Sequence, residues 1–366
     1  MNDSDTTVYD VIVVGGGQAG LSVAYYLRRT GLNYLILDGQ HHPGGAWVQT
    51  WDSLRLFSPA QWSSLPGWLF PIKHDRYPTR DEVISYLTQY EERYGLPIVR
   101  PLQVGTVSRS KEWFDIDTSK GLFRSKAIVS ATGSWQNPSI PTYPGREEFG
   151  GRQLHSASYR SPAEFAGKTV LVVGAGNSGA QIMAELSSQS DAIWVTLEEP
   201  QYLPDDVDGR VLFDRASEQY KALTAGDGSV SKPADLLGHI VMVAPVREAR
   251  DQNRLQSRRP FVRFTPTGVV WADGSESNVD AVIWCTGFRP ALEHLRTLGV
   301  VNDNGRVDLD GNRSTDEPGL WLAGYGNWTG FASATLIGVG RTARRIVDEI
   351  VEYVGQSNSV KISTTA

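Results

Sequence analysis

The stretch Val11-Ile12-Val13-Val14-Gly15-Gly16-Gly17-Gln18-Ala19-Gly20 decides the fold. Four β-branched residues in a row are typical of a buried parallel strand. They run into a Gly-x-Gly-x-x-Gly pattern, where a helix with Leu21, Ala24, Tyr26 and Leu27 on its apolar face is predicted to begin. This order is typical of a dinucleotide-binding unit, in which the glycines allow a tight turn and the helix N-terminus meets a pyrophosphate. A glycine turn of purely structural use is the alternative.

An acidic residue completes the pattern. The next predicted strand, Tyr34 to Asp38, ends on Asp38, which is placed to bind the ribose hydroxyls of an adenosine. Strand, helix and acid therefore occur together, which a glycine pattern alone would not show. The residues predicted to contact the first dinucleotide are Gly15, Gly17, Gln18, Ala19, Gly20 and Asp38.

The same unit occurs a second time. A predicted strand, Thr169 to Val173, leads into Gly174-Ala175-Gly176-Asn177-Ser178-Gly179, and the strand that follows ends on Leu197-Glu198-Glu199. Glu198 follows Gly174 at nearly the same distance in sequence as Asp38 follows Gly15. Two such units indicate two dinucleotides, usually a flavin held by the first and a nicotinamide cofactor docking on the second. The predicted second set is Gly174, Gly176, Asn177, Ser178, Gly179, Leu197 and Glu198.

Composition excludes several classes of protein. The 366 residues carry a net charge of −6 with no Lys/Arg cluster, which argues against a nucleic-acid surface. The mean hydropathy is −0.29 and no apolar run approaches the roughly twenty residues of a membrane span. Cys285 is the single cysteine, so there is no disulfide framework and no Cys-x-x-Cys redox pair. From the missing apolar span and the single cysteine we expect a cytoplasmic protein. We expect no metal site, because the six histidines are scattered.

Several shorter motifs add candidate cofactor contacts. Gly45-Ala46-Trp47, after Gly44, suits a loop whose backbone lies against a phosphate or flavin edge, although an ordinary turn is the alternative. Ala131-Thr132-Gly133 and Cys285-Thr286-Gly287 end comparable predicted strands in the two halves. Near the C-terminus, Gly324, Gly326 and Asn327 follow a last strand; many two-dinucleotide flavoproteins have Asp where Asn327 stands. Asn can still accept a hydrogen bond from a flavin ribityl hydroxyl.

The remaining patterns outline the architecture. A helix is predicted from Asp81 to Tyr94, a polar turn region from Lys111 to Lys120, and a long C-terminal helix with apolar residues from Leu336 to Val354. The irregular stretch from Pro200 to Pro260, with basic residues between Arg247 and Arg259, is predicted to be a surface insertion, with a mobile lid as the alternative. The predicted fold class is α/β, with two Rossmann-like dinucleotide-binding domains. Residues 1–147 and 291–366 form the FAD domain and residues 148–290 the inserted NAD(P)H domain.

With these pieces placed, the chain resembles the flavin-containing monooxygenases, the class B flavoprotein monooxygenases. Phe149-Gly150-Gly151-Arg152-Gln153-Leu154-His155-Ser156-Ala157-Ser158-Tyr159 matches the F-x-G-x-x-x-H-x-x-x-Y signature of that family at each fixed position. Baeyer–Villiger relatives carry Trp-Pro where Tyr159 stands, so the resemblance is to the branch that oxygenates heteroatoms. The similarity extends from Tyr9 to about Val354. It is strongest to the short bacterial members that oxidise thioethers and accept NADH as well as NADPH.

The resemblance implies a reaction. FAD is reduced by NADH or NADPH, adds O2 at C4a, and the resulting (hydro)peroxide transfers one oxygen atom to a thioether or an amine. The protein has to keep that intermediate dry and hydrogen-bonded, since premature loss gives hydrogen peroxide. No acid–base triad is implied. His155 is expected to be structural rather than a proton donor.

Two residues depart from the family pattern. Phe57 stands where larger members have a loop Asn over the flavin, and a phenyl ring excludes water but donates no hydrogen bond. We therefore expect more peroxide loss, unless the loop alignment is one residue off and Phe57 is ordinary core. Glu198 stands where NADPH-specific sites present Arg or Lys, so NADH is expected to be used at least as well as NADPH. Phe57 and Asn327 are the residues assigned to the catalytic centre.

Other functions remain open at this stage. An NAD(P)H oxidase or a reductase that passes electrons to O2, a quinone or a protein partner fits the duplicated folds equally well, and Phe57 favours it. A flavin-binding redox sensor is a third hypothesis. The substrate pocket is not written in the sequence, and a homodimer is expected only because such assemblies are common.

Overall fold

A computed structural model describes residues 7–72, 77–211 and 239–363. Contacts divide the chain into two compact units that alternate along the sequence. The first comprises Met1–Val48, Ala60–Asn137 and Arg289–Ala366, and the second comprises Gln49–Pro59 and Pro138–Phe288. Each has its own parallel sheet and helices, so the predicted α/β class with two Rossmann-like folds is confirmed.

The first unit is built on a nine-stranded sheet. Its strands are β1 Val8–Val14, β2 Tyr34–Leu37, β3 Ile98–Val99, β4 Val104–Arg109, β5 Phe114–Thr118, β6 Gly121–Ser130, β15 Leu309–Asp310, β16 Arg313–Ser314 and β17 Leu320–Leu322. The main path of the sheet runs β15-β16-β17-β6-β1-β2-β3. Along this path β17, β6, β1, β2 and β3 are parallel to one another, whereas β15 and β16 are antiparallel and extend the sheet beyond β17. β4 and β5 form an antiparallel hairpin beside β6.

Strand register brings three predicted motifs to one edge of this sheet. Val14, at the end of β1, pairs with Leu37 of β2 on one side and with Ser130 of β6 on the other. The glycine turn, Asp38 and the Ala-Thr-Gly motif each follow one of these strands. Because ligands of open parallel sheets bind outside the carboxyl ends of the strands, this edge is the expected first nucleotide site.

Three helices complete the first unit: α1 Gln18–Leu27, α2 Arg80–Tyr94 and α5 Val339–Ser363. The predicted helix at Asp81 to Tyr94 is confirmed. A capping box explains its start, since Thr79 accepts from the Glu82 N–H and Glu82 from the Thr79 N–H, and Gly95 ends it at φ 55°. The long C-terminal helix packs on α1, with Val339, Ala343, Ile346, Val347, Ile350 and Val354 buried.

The second unit contains a five-stranded parallel sheet in the order β10-β9-β8-β14-β7. Its strands are β7 Arg152–His155, β8 Thr169–Val173, β9 Asp191–Val195, β10 Ser257–Arg258 and β14 Ala281–Trp284. A separate antiparallel sheet is formed by β11 Arg263–Thr265, β12 Gly268–Val270 and β13 Glu276–Asn278. The helices are α3 Asn177–Leu186 and α4 Ala244–Asp251.

The second sheet repeats the edge geometry of the first. Val173, at the end of β8, pairs with Val195 of β9 and with Trp284 of β14, and Arg258 of β10 pairs with Val195. The second glycine turn, the Leu197-Glu198 turn and the Cys-Thr-Gly motif therefore follow neighbouring strands. The duplication that the sequence indicates therefore extends to the arrangement of these turns along the carboxyl ends of the strands.

One local prediction is wrong. The polar turn expected from Lys111 to Lys120 contains β5, Phe114–Thr118, with turns only at its two ends. Phe114 and Ile116 alternate with Asp115 and Asp117, and both apolar side chains are fully buried. The period-two pattern of a half-buried strand was concealed by the charged residues around it. The Pro200 to Pro260 insertion contains α4 and β10; its residues 212–238 lie outside the described part of the chain.

No helix in residues 7–72, 77–211 and 239–363 has both the length and the apolar character needed to cross a membrane. Within the same ranges, no group of three or more His, Cys, Asp and Glu side chains is arranged to hold a metal ion.

Candidate functional site

The glycines of the first turn differ in what surrounds them. Gly15 has a φ of 108°, and a Cβ added there would lie 2.5 Å from the carbonyl oxygen of Ala131. A Cβ on Gly20 would overlap the carbonyl oxygen of Gly15, so both positions are closed to larger residues by the protein itself. At Gly17 the nearest atom to an added Cβ, the Cα of Gly45, is 3.9 Å away. That open space is what a pyrophosphate needs for close approach to the backbone.

The N-terminus of α1 has the features of an anion-binding site. No side chain caps its N-terminus and no acidic residue lies in its first turn. Its first N–H groups therefore lack intrahelical acceptors, and the positive end of the helix dipole faces the turn. A phosphate at this position would satisfy both.

Gln18 joins three of the predicted segments. Its Nε2 donates to the carbonyl of Ala334 at 2.6 Å, and its Oε1 accepts from the indole N–H of Trp47 at 3.1 Å. In addition, a Cβ on Gly45 would lie 2.8 Å from the Cα of Gly17. The structure thus brings Gly17, Gln18, Gly45 and Trp47 together. Ala46 lies exposed beside them, and Ala19 packs on Gly324, where an added Cβ would lie 2.5 Å from the Ala19 Cβ.

Asp38 is buried at the same edge and has a partner that the sequence analysis missed. Its Oδ2 forms an ion pair with Arg100 at 2.7 Å, and its Oδ1 accepts from the N–H of Gln40 at 3.2 Å. Arg100 also donates to both carboxylate oxygens of Glu91 at 2.8 and 2.9 Å. Burial raises the pKa of Glu91. Arg100 follows β3, far from Asp38 in sequence, so only the β2–β3 pairing reveals the contact.

Beneath the Ala131-Thr132-Gly133 motif lies a chain of buried polar groups. The Tyr325 hydroxyl is 2.6 Å from Ser130 Oγ and 2.7 Å from Thr132 Oγ1, and Thr132 Oγ1 donates to the carbonyl of Ala291 at 2.7 Å. His294 Nε2 is 3.2 Å from Ser130 Oγ. One set of directions satisfies every group: His294 donates to Ser130, Ser130 to Tyr325, and Tyr325 to Thr132.

Burial keeps both ionisable members of this chain neutral. It raises the pKa of the Tyr325 phenol and lowers the pKa of His294 to about 4. Neither residue was singled out from the sequence, although Tyr325 lies between two glycines that were. Their role in the structure is to hold the Thr132 loop at the sheet edge.

Asn327 lies exposed in a short 3₁₀ helix, Gly326–Thr329. Gly326 has a φ of 80° and open space where a Cβ would be. Ser333 donates to the Gly326 carbonyl at 2.7 Å, and Tyr325 N–H donates to Thr329 Oγ1 at 2.9 Å, which fixes the turn. In the described part of the chain, no side-chain hydrogen bond occupies the Asn327 amide.

The second glycine turn copies the first. Gly174 has a φ of 129°, and a Cβ there would overlap the carbonyl oxygen of Cys285, just as Gly15 meets Ala131. A Cβ on Gly179 would overlap the Gly174 carbonyl, whereas Gly176 has nothing within 4 Å of an added Cβ. The start of α3 likewise has no side-chain cap and no acid in its first turn. The geometry again leaves room and positive potential for a phosphate at the helix N-terminus.

Asn177 and Ser178 begin α3, but the Asn177 side chain is already engaged. Its Nδ2 donates to the His239 carbonyl at 3.1 Å, and its Oδ1 accepts from the Val241 N–H at 2.8 Å. Asn177 therefore holds the returning end of the insertion over the start of the helix.

The turn after β9 presents Leu197 and Glu198 to solvent. The neighbouring Glu199 pairs with Arg259 at 3.1 Å, and Arg258 stacks over the Trp271 ring at 3.6 Å. Both arginines belong to the stretch that the sequence predicts to be a surface insertion. Because β10 is parallel to β9, Arg259 instead follows a strand of the site edge, next to the turn predicted to meet the adenosine ribose.

A residue of the Phe149–Tyr159 signature segment, His155, binds the Cys285-Thr286-Gly287 motif. His155 Nδ1 accepts from the Ala157 N–H at 3.1 Å, so its Nε2 carries the proton and donates to the Gly287 carbonyl at 3.0 Å. Burial lowers the pKa of His155, which favours this neutral tautomer. Thr286 Oγ1 donates to the carbonyl of Ser139, and burial raises the pKa of the Cys285 thiol. These contacts give His155 a structural role.

Phe57 lies in the segment Gln49–Pro59, which belongs to the second unit. Its ring is half-buried against an apolar cluster of Leu203, Val207 and Val241. The Gly209 N–H donates to its carbonyl at 2.8 Å. Its ring thus contacts the insertion.

Comparison with known proteins places the chain among flavin-dependent oxidoreductases. Residues 12–212 match the family model described as pyridine nucleotide-disulphide oxidoreductase. An uncharacterized oxidoreductase, CzcO, of Bacillus subtilis is 32% identical and is matched over 94% of this chain and 99% of its own. The indole-3-pyruvate monooxygenase YUCCA4 of Oryza sativa subsp. japonica is 26% identical, over 96% and 89% respectively.

Among solved structures, a flavin-containing monooxygenase from Stenotrophomonas maltophilia is 50% identical to this chain. It superposes with a TM-score of 0.86, covering 94% of this chain and 99% of that one. The match to the family model, over residues 12–212, includes both glycine turns and the segment between them.

Proposed function

Because the chain belongs to the flavin-containing monooxygenases of the pyridine nucleotide-disulphide oxidoreductase family, we propose that it oxygenates soft heteroatoms, thioethers to sulfoxides above all. Its enzymatic class, an oxidoreductase that depends on FAD, NAD(P)H and O2, follows from the family. The Phe149–Tyr159 signature, which ends in Tyr159, carries the choice of a heteroatom. The disulphide chemistry in the family name does not apply, because Cys285 is the single cysteine and it is buried.

The residues at the first site edge fit FAD. The open approach at Gly17, the uncapped start of α1 and the buried Asp38 match a pyrophosphate and an adenosine ribose. Gly45, Ala46, Trp47, Ala131, Thr132, Gly133, Gly324, Gly326 and Asn327 are proposed to hold the remainder of the cofactor. The chemistry that bound FAD supplies is activation of O2 after its reduction by NADH or NADPH.

Phe57 and Asn327 are proposed to act in the catalytic centre. The amide of Asn327 would accept a hydrogen bond from a ribityl hydroxyl and so orient the ring system. The phenyl ring of Phe57 would exclude water from the reacting oxygen without hydrogen-bonding to it. We therefore expect part of the NADH consumed to appear as hydrogen peroxide.

The second site edge is proposed to bind the pyridine nucleotide through Gly174, Gly176, Asn177, Ser178, Gly179, Leu197, Glu198, Cys285, Thr286 and Gly287. Glu198 would accept hydrogen bonds from the ribose hydroxyls of NADH and repel a 2′-phosphate. Arg259, next to it, carries a positive charge that a 2′-phosphate would attract. NADH is therefore proposed to be used at least as well as NADPH, while NADPH is accepted. Asn177 would contribute through its backbone, since its side chain is engaged.

An NAD(P)H oxidase, or a reductase for a quinone or a protein partner, is the alternative function. It would use the same two cofactor sites. It would differ in that the electrons of the reduced flavin pass to O2, a quinone or a protein, and no oxygen atom is transferred to a substrate. The cytoplasm is the proposed compartment, because a chain with one buried cysteine needs no oxidising environment. A homodimer is proposed only on the general frequency of such assemblies.

The test is the amount of sulfoxide formed per NADH consumed, in air, with methyl phenyl thioether and the purified holoenzyme. Hydrogen peroxide is measured in parallel, and added peroxide at the measured concentration is the control for uncatalysed oxidation. An enantiomeric excess in the sulfoxide shows transfer within the protein. NADH consumption with only racemic sulfoxide at the control level would contradict the proposal and favour the oxidase or reductase.

A further inference from the structure

Glu185 is a half-buried carboxylate near the end of α3 that the proposed reaction does not use. Its Oε2 accepts from the Tyr159 hydroxyl at 3.0 Å, and its Oε1 accepts from Ser53 Oγ. The Trp51 side chain donates a further hydrogen bond to the same carboxylate. Two of the three donors belong to the segment Gln49–Pro59, called here the Phe57 segment.

The Phe57 segment is fastened to the second unit at several points. The Asp52 N–H donates to the Arg160 carbonyl at 3.1 Å, next to Tyr159. The Trp51 ring is 4% exposed and lies in the apolar core with Tyr159, their centroids 6.3 Å apart. Along the chain, however, both neighbours of the segment, Val48 and Ala60, belong to the first unit. Local sequence therefore does not hold these eleven residues in the second unit, and their side-chain contacts have to do so.

The helix α3 fixes the surroundings of Phe57 from both ends. At its start, Asn177 binds the backbone at His239 and Val241, and Val241 lies in the cluster that receives the Phe57 ring. Near its end, Glu185 binds Ser53 and Trp51. The N-terminus of this same helix is the proposed pyrophosphate site of the pyridine nucleotide. Helix geometry sets these two anchor points about 12 Å apart.

Removing part of a carboxylate from water costs free energy, so Glu185 is an unfavourable choice if its task is only to join two segments. Apolar packing would serve stability alone, and burial raises the pKa of Glu185, which shows that the site opposes its charge. Three donors converging on one carboxylate do, however, define a single geometry for the groups that make them. We propose that Glu185 is a positioning residue that holds Phe57 in register with the pyridine nucleotide site, with Tyr159 of the signature as its partner.

This inference rests on the proposed function, in which Phe57 excludes water from the reacting oxygen. Loosening Glu185 should therefore increase peroxide release and leave the hydride transfer that reduces the flavin unchanged. A merely structural carboxylate would alter stability without altering the ratio of sulfoxide to peroxide.

The experiment compares Glu185→Gln and Tyr159→Phe holoenzymes with wild type. The control variant is Glu248→Gln, an exposed helical glutamate of the same unit whose carboxylate bonds Gln252. Amide hydrogen exchange is followed across the chain, the flavin reduction rate is measured anaerobically with NADH, and the sulfoxide-to-peroxide ratio is measured in air. Tyr159→Phe keeps the ring in the core and removes one donor, so it is the milder change.

We expect about tenfold faster exchange in the Phe57 segment of Glu185→Gln, because weakening the hydrogen bonds to the carboxylate allows local opening. The sulfoxide-to-peroxide ratio should fall by roughly the same factor, and by less in Tyr159→Phe, with flavin reduction within about twofold of wild type and the control unchanged. Unaltered protection of the segment, faster exchange throughout the chain, or an unaltered ratio would each overturn the inference. Failure of the proposed function would show differently, as absence of enzymatic sulfoxide in the wild-type enzyme itself.

Discussion

His294 is a buried histidine whose neutral form the fold requires. Burial lowers its pKa from 6.5 to about 4, so between these values the unfolded chain binds a proton that the folded chain does not. Above pH 6.5 His294 is neutral in both states and does not lower the free energy of unfolding. As the pH falls from 6.5 toward 4, protonation of the unfolded chain lowers the free energy of unfolding. From this shift, His294 alone should cost about 2 kcal/mol of unfolding free energy at about pH 5.

The matched variant is His294→Gln, whose amide can donate to Ser130 but does not titrate. Thermal unfolding of wild type and variant is compared at about pH 7.5 and about pH 5. We expect the wild type to lose several degrees more than the variant over this interval. Equal losses would show that other groups, His155 among them, account for the acid sensitivity.

Arg259 and Glu198 are proposed to make opposite contributions to the choice of nicotinamide cofactor. Removing the Arg259 charge should weaken NADP⁺ binding by roughly tenfold, the size of one charge-assisted hydrogen bond, and leave NAD⁺ binding nearly unchanged. Glu198→Gln should instead favour NADP⁺. Titration of the oxidised holoenzyme with both nucleotides measures these effects without turnover. Arg247→Ala, which removes an exposed arginine of α4, is the control; equal weakening of both nucleotides by Arg259→Ala would contradict this role.

At the scale of elements, the glycines of each strand–turn–helix unit fall into two groups. Gly15 and Gly20, like Gly174 and Gly179, face protein atoms that an added Cβ would overlap. Gly17 and Gly176 face open space at the start of a helix. We propose that packing requires the first group and that a bound cofactor requires the second.

The second turn allows a direct test of this distinction. Gly176→Ala should leave the unfolding temperature nearly unchanged, because φ is −86° and nothing lies within 4 Å of the new Cβ, yet it should weaken NADH binding by about tenfold or more. Gly179→Ala should instead destabilise the enzyme by about 1–3 kcal/mol through overpacking against the Gly174 carbonyl. NADH titration and thermal unfolding of both variants are the measurements. Wild-type NADH affinity in Gly176→Ala would exclude a cofactor at this turn.

The β5 strand shows how an element can be missed. Phe114 and Ile116 supply only two apolar positions between charged neighbours, too few for a clear alternating pattern. The strand exists because β4 and β6 pair with it on its two sides and because Phe114 and Ile116 are buried. Pairing partners supplied the missing stabilisation, and they are not visible in a local window.

At the scale of the whole molecule, the two units are interleaved in sequence. The first unit is assembled from three stretches of chain and the second from two, one of which is the eleven-residue Phe57 segment. Nothing in the composition of residues 49–59 indicates where they pack. Their place follows from the buried Trp51 and from hydrogen bonds to Glu185 and Arg160.

The sequence alone determined the duplicated strand–glycine–helix units, the strands that lead to them and the resemblance that implied FAD and a nicotinamide cofactor. These features are local: β-branched runs, glycines that tolerate positive φ and apolar helix faces act within a few residues. Only the tertiary structure decided that Arg100 pairs with Asp38, that Arg259 stands beside the Glu198 turn, and that Tyr325 and His294 support Thr132. Each of these contacts joins residues distant in sequence, and parallel pairing between strands, which no local pattern specifies, sets which of them meet at the edge of a sheet.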